Sequence, residues 1–271
     1  MLQKPGKPQY NVPKAYRPIT LLNSIAKLAT SVVAEELSHL VETHGLLPTT
    51  HFGGRPGRTT TDSLHLLMDY IKAAWRKKRV VSALFLDVEG AFPNAVTHRL
   101  LHNMRWRRVP KAYVSFVSAM LTGRKTCLKF DDYTSDWFLL DNGIGQGDPL
   151  SMLLYLFYNA DILDVAKGPD KMSLGYVDDI ALVVTAKTFT QMHRSLSHMM
   201  LRPKEGFHWS KLHNSNFETS KSTLVDFSRS KTVDRPWHSY PHTEATQVHG
   251  HHGGSGAAME AACDIRNSQS H

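Results

Sequence analysis

Residues 172–185 read MSLGYVDDIALVVT and contain two apolar runs separated by the adjacent acids Asp178 and Asp179. Short apolar runs joined by two polar residues predict a β-hairpin with the acids at its tip. Asp is a common turn residue, so a plain polar turn explains the string taken alone. Clustered carboxylates are costly unless a cation compensates their charge, which makes a metal site the alternative interpretation.

A further acid ends another apolar run. Residues 80–88, VVSALFLDV, predict a buried strand that ends at Asp87. A single carboxylate at the end of a strand often caps the segment that follows, so this position is ambiguous by itself. Three carboxylates on adjacent strands would instead offer the oxygen ligands that Mg²⁺ prefers. Two such ions can support in-line phosphoryl transfer.

The remaining pattern predicts an α/β (α+β) fold. Strand–helix–strand–strand–helix–strand is the order of a ferredoxin-like split βαβ sheet, and we expect its helices on one face. The predicted tail, 231–271, is rich in His and Gly, lacks periodicity and is expected to be disordered. Helices are predicted around 19–44, 62–78, 95–105, 110–121, 150–165 and 188–201, and further strands near 125–130, 137–140 and 222–227.

Charge is distributed unevenly along the chain. Residues 1–79 hold 12 basic and 5 acidic side chains, whereas 131–179 hold ten acids against two lysines. This division suggests that the first region holds a polyanion and the second holds metal ions. Two cysteines, Cys127 and Cys263, give no disulfide framework or zinc spacing. Without a spanning apolar run or a signal-peptide pattern, we expect an intracellular protein, nuclear or cytoplasmic, that is neither secreted nor membrane-bound.

Seven strings, in this order and spacing, closely resemble the reverse transcriptase domain of non-LTR (LINE-like) retrotransposons. The resemblance implies a right-hand polymerase with a fingers-like region over 1–79 and a palm-like catalytic region over 80–230. The strings are KPGKP (4–8), YRPITLLNSIAKL (16–28), HFGGRPGRTTTDSL (51–64), SALFLDVEGAFPNA (82–95), GIGQGDPLSMLLYLFYNADIL (143–163), GYVDDIALVV (175–184) and HNSNFETSKSTLVDFSR (213–229).

The resemblance also implies roles at the acidic positions. Asp87 and Asp178 match the main ligands of two Mg²⁺ ions, for which Mn²⁺ can substitute. Asp179 matches a further catalytic acid and metal ligand, and the carbonyl of Val88 an additional ligand. Lys221 matches the lysine that protonates the departing pyrophosphate.

Other positions match contacts to the incoming nucleotide and the nucleic acid. A ring at Phe92 would crowd a ribose 2′-hydroxyl and favour dNTPs. Gln146 and Gly147 match the nucleotide-contacting loop, and Arg17 matches the arginine that binds the triphosphate. Arg55 and Arg58 are predicted to bind template phosphates. An equal alternative is that they belong to a basic loop that only contacts solvent.

We therefore expect an RNA-directed DNA polymerase that uses an RNA template, a DNA primer and dNTPs. We expect the upstream fingers strands and the thumb of the family pattern to be missing, which leaves open whether a partner chain supplies the thumb. Two alternatives stay open: a compromised retrotransposon fragment that only binds nucleic acid, and an RNA-templated RNA polymerase. Phe92 argues against the latter.

Overall fold

The computed structural model describes residues 1–229, which form two compact units. The helices are α1 Ser24–His44, α2 Thr60–Arg76, α3 Ala91–Asn94, α4 Thr97–Trp106, α5 Lys111–Leu121, α6 Ser151–Leu163, α7 Phe189–Leu201 and α8 Gly206–Leu212, with a 3₁₀ turn at Pro13–Ala15. The strands are β1 Leu2–Gln3, β2 Tyr16–Arg17, β3 Val80–Asp87, β4 Arg124–Thr126, β5 Lys129–Phe130, β6 Tyr133–Thr134, β7 Phe138–Leu140, β8 Lys171–Tyr176, β9 Asp179–Ala186 and β10 Thr223–Phe227.

The central sheet has four antiparallel strands in the order β10-β3-β9-β8. Its inner strands, β3 and β9, are buried on both faces, which explains why their sequences are almost continuously apolar. Helices α3–α6 separate β3 from β8 along the chain, and α7 and α8 separate β9 from β10. This arrangement confirms the predicted split βαβ sheet.

The expectation that the helices lie on one face was wrong. On one face, Ile71 of α2 packs in a buried cluster with Ala83 and Val183. Side chains alternate along a strand, so Ser82 belongs to the opposite face. There its hydroxyl donates to Asp226, which also hydrogen-bonds His193 of α7 at 3.1 Å. The sheet is therefore covered on both faces. This cover agrees with its two inner strands, whose side chains are buried on both sides.

The first unit comprises Met1–Leu47 and Gly90–Tyr158, and the second comprises Pro48–Glu89 and the described residues from Asn159 onward. The central sheet belongs to the second unit. The division into a fingers-like region that ends at residue 79 and a palm-like region after it stays a prediction. The predicted tail over 231–271 lies outside the described residues.

In the first unit, α1 begins later than the prediction from residue 19. Its N-terminal cap is Asn23, whose side chain accepts a hydrogen bond from the backbone N–H of Ala26. The preceding residues 18–23 are not helical. The backbone N–H of Thr20 there donates to the carbonyl of Gln146 at 2.8 Å. In the part of the chain that the structure describes, no helix is long and apolar enough to cross a membrane.

Candidate active site

Three acids lie at one end of the central sheet, in the second unit. Asp87 is the last residue of β3 and pairs directly with Asp179, the first residue of β9. Tyr176 also pairs with Asp179 across the hairpin, so Asp178 lies in the two-residue turn between β8 and β9. Directly opposed side chains in an antiparallel ladder have Cβ atoms about 4.5–5.5 Å apart. Two like charges therefore face each other at this position.

The turn that carries Asp178 has an unusual backbone. Val177 has a φ of 59°, a left-handed conformation that β-branched residues rarely adopt. Two neighbours hold it there: the side-chain amide of Asn159 donates to the carbonyl of Val177, and Gly53 packs against the turn. A Cβ on Gly53 would lie 2.8 Å from the backbone N of Val177. The surrounding structure thus fixes the direction of the turn and of its acid.

The charge around Asp179 is partly uncompensated. Partial desolvation, followed by the charges of Asp178 and Asp87, raises the pKa of the Asp179 carboxyl, and Lys221 opposes this rise. The Asp179 residue as a whole is exposed to solvent, so its carboxyl is only partly desolvated. The surroundings of Asp179 therefore disfavour the ionised form of its own carboxyl.

Lys221 supplies one cation at this site. Its ammonium donates a hydrogen bond to Oδ2 of Asp87 at 2.8 Å, and this bond is the main reason that the pKa of Lys221 is raised. The segment before β10 runs along the end of β3, with the N–H of Glu218 donating to the carbonyl of Asp87 at 2.9 Å. Val88 is buried and forms an antiparallel bridge with Phe217. These backbone contacts place Lys221 beside the acids.

The acids fit a divalent cation in ligand type and in charge, because hard cations prefer carboxylate oxygens. Among residues 1–229, however, no three His, Cys, Asp or Glu side chains are arranged around one point as ligands. The ammonium of Lys221 instead occupies Oδ2 of Asp87. A cation that used this oxygen would have to displace Lys221.

The predicted nucleotide contacts lie in the first unit, in three segments joined by backbone hydrogen bonds. The N–H of Ile144 donates to the carbonyl of Phe92 at 2.8 Å, and the N–H of Thr20 donates to the carbonyl of Gln146, also at 2.8 Å. Gly147 has a φ of 104°, which only glycine adopts readily. The loop 143–149 is thereby connected to both α3 and the segment after β2.

Two side chains of this group differ in their surroundings. The ring of Phe92 stacks on that of the buried Tyr155, with centroids 4.9 Å apart. Arg17 is exposed in β2, which pairs with β1. The structure thus holds the Phe92 ring in place and leaves the Arg17 guanidinium in contact with solvent.

The Reverse transcriptase (RNA-dependent DNA polymerase) family matches residues 2–233 of the chain. The chain belongs to this family. The resemblance to non-LTR retrotransposon enzymes is confirmed by two similar proteins. The chain is 29% identical to the probable RNA-directed DNA polymerase from transposon X-element of Drosophila melanogaster, over 87% of this chain and 26% of that protein. It is 25% identical to the RNA-directed DNA polymerase from mobile element jockey of Drosophila funebris, over 84% of this chain and 25% of that protein.

Solved telomerase structures share the fold of this reverse transcriptase chain. Telomerase from Candida Tropicalis, in complex with a TWJ fragment of telomeric RNA, has a TM-score of 0.53 at 10% identity and covers 76% of this chain and 34% of the telomerase chain. Telomerase from Candida albicans, in complex with the same kind of fragment, has a TM-score of 0.53 at 12% identity, over 76% and 36% of the two chains. Family and likeness together give the chain a fingers and palm fold.

Within this reverse transcriptase fold, the two arginines predicted to bind the template have contacts of their own. Arg55 is buried, and its guanidinium donates to the carbonyls of Pro48 at 2.7 Å and His51 at 3.2 Å. Arg58 donates to the carbonyl of Thr49 and lies over the ring of Phe52, 5.8 Å from its centroid. Binding of template phosphates by these side chains stays a prediction.

The sequence interpretation missed two residues that shape the site of this reverse transcriptase. Asn159 lies in the apolar helix α6, where a completely buried amide is a signal of a specific hydrogen bond. Gly53 is one of two adjacent glycines, which indicates a tight backbone approach. Neither signal shows from the sequence that the partner is the turn at Val177.

Proposed function

We propose that this reverse transcriptase chain is an RNA-directed DNA polymerase of a retrotransposon, which adds dNTPs to the 3′ end of a DNA primer on an RNA template. The chain spans about a quarter of the length of the curated relatives reported above. The observation that carries the proposal is the pairing of Asp87 with Asp179 beside the Asp178 turn, with Lys221 bound to Asp87.

In the proposed reaction, the primer 3′-oxygen bonds to the α-phosphorus of the dNTP, and the bond from that phosphorus to the bridging oxygen breaks. Pyrophosphate leaves, and the hydroxyl proton passes to solvent. Asp87 and Asp178 would hold two Mg²⁺ ions, with Asp179 and the Val88 carbonyl as further ligands. Such ions activate the attacking hydroxyl and neutralise the developing phosphate charge.

The protein's own groups have separate roles in this reaction. Lys221 lies beside the acids and carries the proton that the departing pyrophosphate needs. Arg17 binds the triphosphate because a guanidinium matches two phosphate oxygens at once. Phe92 is held by Tyr155 and excludes the 2′-hydroxyl of an rNTP, and Gln146 and Gly147 contact the nucleotide.

Primer extension tests this proposal. The full 271-residue chain is incubated with an RNA template, a labelled DNA primer, Mg²⁺ and either dNTPs or rNTPs. We expect extension with dNTPs by the unaltered chain and none by Asp178→Asn, while Asp132→Asn, the same change at an exposed position, stays active. Equal activity of Asp178→Asn would overturn the metal-ligand assignment. Extension only with rNTPs would indicate an RNA polymerase, and binding without extension would indicate a nucleic-acid-binding fragment.

A further inference from the structure

The segment from Gly90 to Phe130 contains eight Arg and Lys residues and no Asp or Glu, although the whole chain has 24 acidic residues. Its most basic part is α4 and the turn into α5, both within the first unit. We infer that this surface, whose charged and aromatic residues take no part in the proposed polymerase reaction, binds single-stranded nucleic acid. The inference goes beyond the proposed polymerase function and does not require it.

One face of α4 presents polar and aromatic groups to solvent. His98, His102 and Arg105 are exposed and follow a spacing of four and three residues, which places them on one side of the helix. Trp106 extends this face and is 74% exposed. The opposite side contains the buried Leu100 and Met104. A large indole in solvent beside cationic groups is suited to stack on an unpaired base.

The basic groups continue through the turn after α4. Arg108 has a φ of 63°, where glycine would be the usual residue, and the N–H of Val109 returns to the carbonyl of Met104 at 3.0 Å. Lys111 is exposed at the first position of α5. Among the described residues, no acidic side chain pairs with Arg105, Arg108 or Lys111. These charges are available to phosphates.

A solvated helix surface explains only part of this pattern. Arg105 lies in the last turn of α4, where the helix dipole favours a cation. The same dipole disfavours Lys111 and His98 when charged, because both lie in the first turn of a helix. It gives no reason for an exposed Trp106. A nucleic acid strand accounts for both features, because its phosphates pair with the cationic side chains and its bases stack on the exposed indole.

The first experiment measures the affinity of the full chain for a fluorescein-labelled single-stranded 12-mer RNA by anisotropy. We expect Trp106→Ala to weaken binding about tenfold through loss of base stacking. The matched control is Trp137→Ala, since Trp137 is 71% exposed in the same unit but follows an acid, Asp136. Wild-type affinity of Trp106→Ala, or an equal loss in Trp137→Ala, would overturn the inference.

The salt dependence of binding tests the phosphate contacts. Replacing Arg105, Arg108 and Lys111 by Gln should reduce the slope of log K against log salt by about 2, because each contact with a single strand contributes about 0.7. The control removes three charges elsewhere, by Gln at Arg76, Lys77 and Lys78. Equal changes of slope in both triple variants would mean that net charge alone governs binding, which contradicts a localised surface.

Two further probes identify the ligand and separate this surface from the polymerase site. Trp106→Ala should leave the affinity for heparin, which has charge but no bases, within twofold of wild type, and a tenfold loss would overturn base stacking. The same test is made with polyglutamate. If Trp106→Ala weakens the affinity for polyglutamate as much as the affinity for RNA, the ligand is an acidic protein and the inference is wrong. Asp178→Asn should retain the RNA affinity, so a failure of the proposed polymerase function leaves this test intact.

Discussion

The ammonium of Lys221 donates to Oδ2 of Asp87 at 2.8 Å, joining a residue just before β10 to the last residue of β3. These residues are 134 positions apart in sequence. The pair links the proposed proton donor to the proposed metal ligand. A metal ion held by Asp87, as proposed, would compete with Lys221 for one carboxylate oxygen, and its binding would release the ammonium toward the substrate.

Replacing Lys221 should reduce the chemical step more than the stability. The pair is largely solvated on the lysine side, so Lys221→Gln should change the free energy of unfolding by less than about 1 kcal/mol. The rate of single-turnover extension should fall about 10²-fold, as for loss of a general acid. Lys221→Arg keeps the charge but gives up no proton, so it should be equally slow. Full activity of Lys221→Arg would show that charge alone is needed.

The sequence was enough to predict that Asp87 and Asp179 lie in one site. It was also enough to predict the sheet that aligns them. Both strands are apolar runs ending or beginning at an acid, and alternation together with hairpin geometry leaves few ways to assemble them. Their direct cross-strand register was not predictable, since it depends on the packing of both faces of the sheet.

The positions of the arginines could not be deduced in the same way. Arg55 and Arg58 are basic residues in a Gly-rich loop, a pattern shared by phosphate-binding loops and by loops that fold on themselves. The structure shows carbonyl acceptors on Pro48 and His51, which no residue type reveals. Similarly, the basic surface at α4 is diluted in the charge balance of the whole chain.

Neutralising Asp179 should stabilise the protein. Its pKa is raised above the ordinary 3.8, so the folded state favours the protonated acid, and ionisation at higher pH costs folding free energy. Asp179→Asn should raise the free energy of unfolding at pH 7 by about 0.5 kcal/mol, a typical value for a cross-strand pair. The gain should disappear below the ordinary pKa, where the acid is protonated in both states.

Thermal denaturation at pH 7 and pH 3.5 measures this effect. Asp132→Asn is the control, because Asp132 is exposed in a different part of the chain. A gain of equal size at both pH values would contradict the electrostatic origin. Added Mg²⁺ should reduce the difference between wild type and Asp179→Asn, because the ion compensates the same charges that the substitution removes.

Arg55 should contribute chiefly to folding. Arg55→Gln leaves the part-buried carbonyl of Pro48 and the buried carbonyl of His51 without their charged donor, at a cost of about 2–3 kcal/mol. Urea denaturation, followed by tryptophan fluorescence, gives the free energy of unfolding. Arg58→Gln, at a more exposed position, should cost less than half as much. A stable Arg55→Gln variant that no longer binds RNA would instead support a direct contact with template phosphates.

Gly53 should be sensitive to a single added methyl group. In Gly53→Ala, the new Cβ would lie 2.7 Å from Cγ2 and 2.8 Å from the backbone N of Val177, so the turn that carries Asp178 must move. We expect a loss of about 1–3 kcal/mol in stability and at least a tenfold loss in extension rate. Gly57→Asn is the control, because Asn tolerates the φ of 65° there and nothing lies within 4 Å. Wild-type activity of Gly53→Ala would show that the turn can shift without affecting the site.

Shortening Phe92 should weaken the preference for deoxynucleotides. The stacking on Tyr155 fixes the ring, so Phe92→Val would open space at the proposed position of the sugar without adding a polar group. The ratio of the kcat/KM values for dNTP and rNTP should fall by roughly 10–100-fold, the range expected when a small apolar volume decides specificity. Phe92→Tyr keeps the ring and should keep the ratio. If Phe92→Val folds with wild-type secondary structure by circular dichroism and yet keeps the wild-type ratio, the ring serves packing against Tyr155 and does not select the sugar.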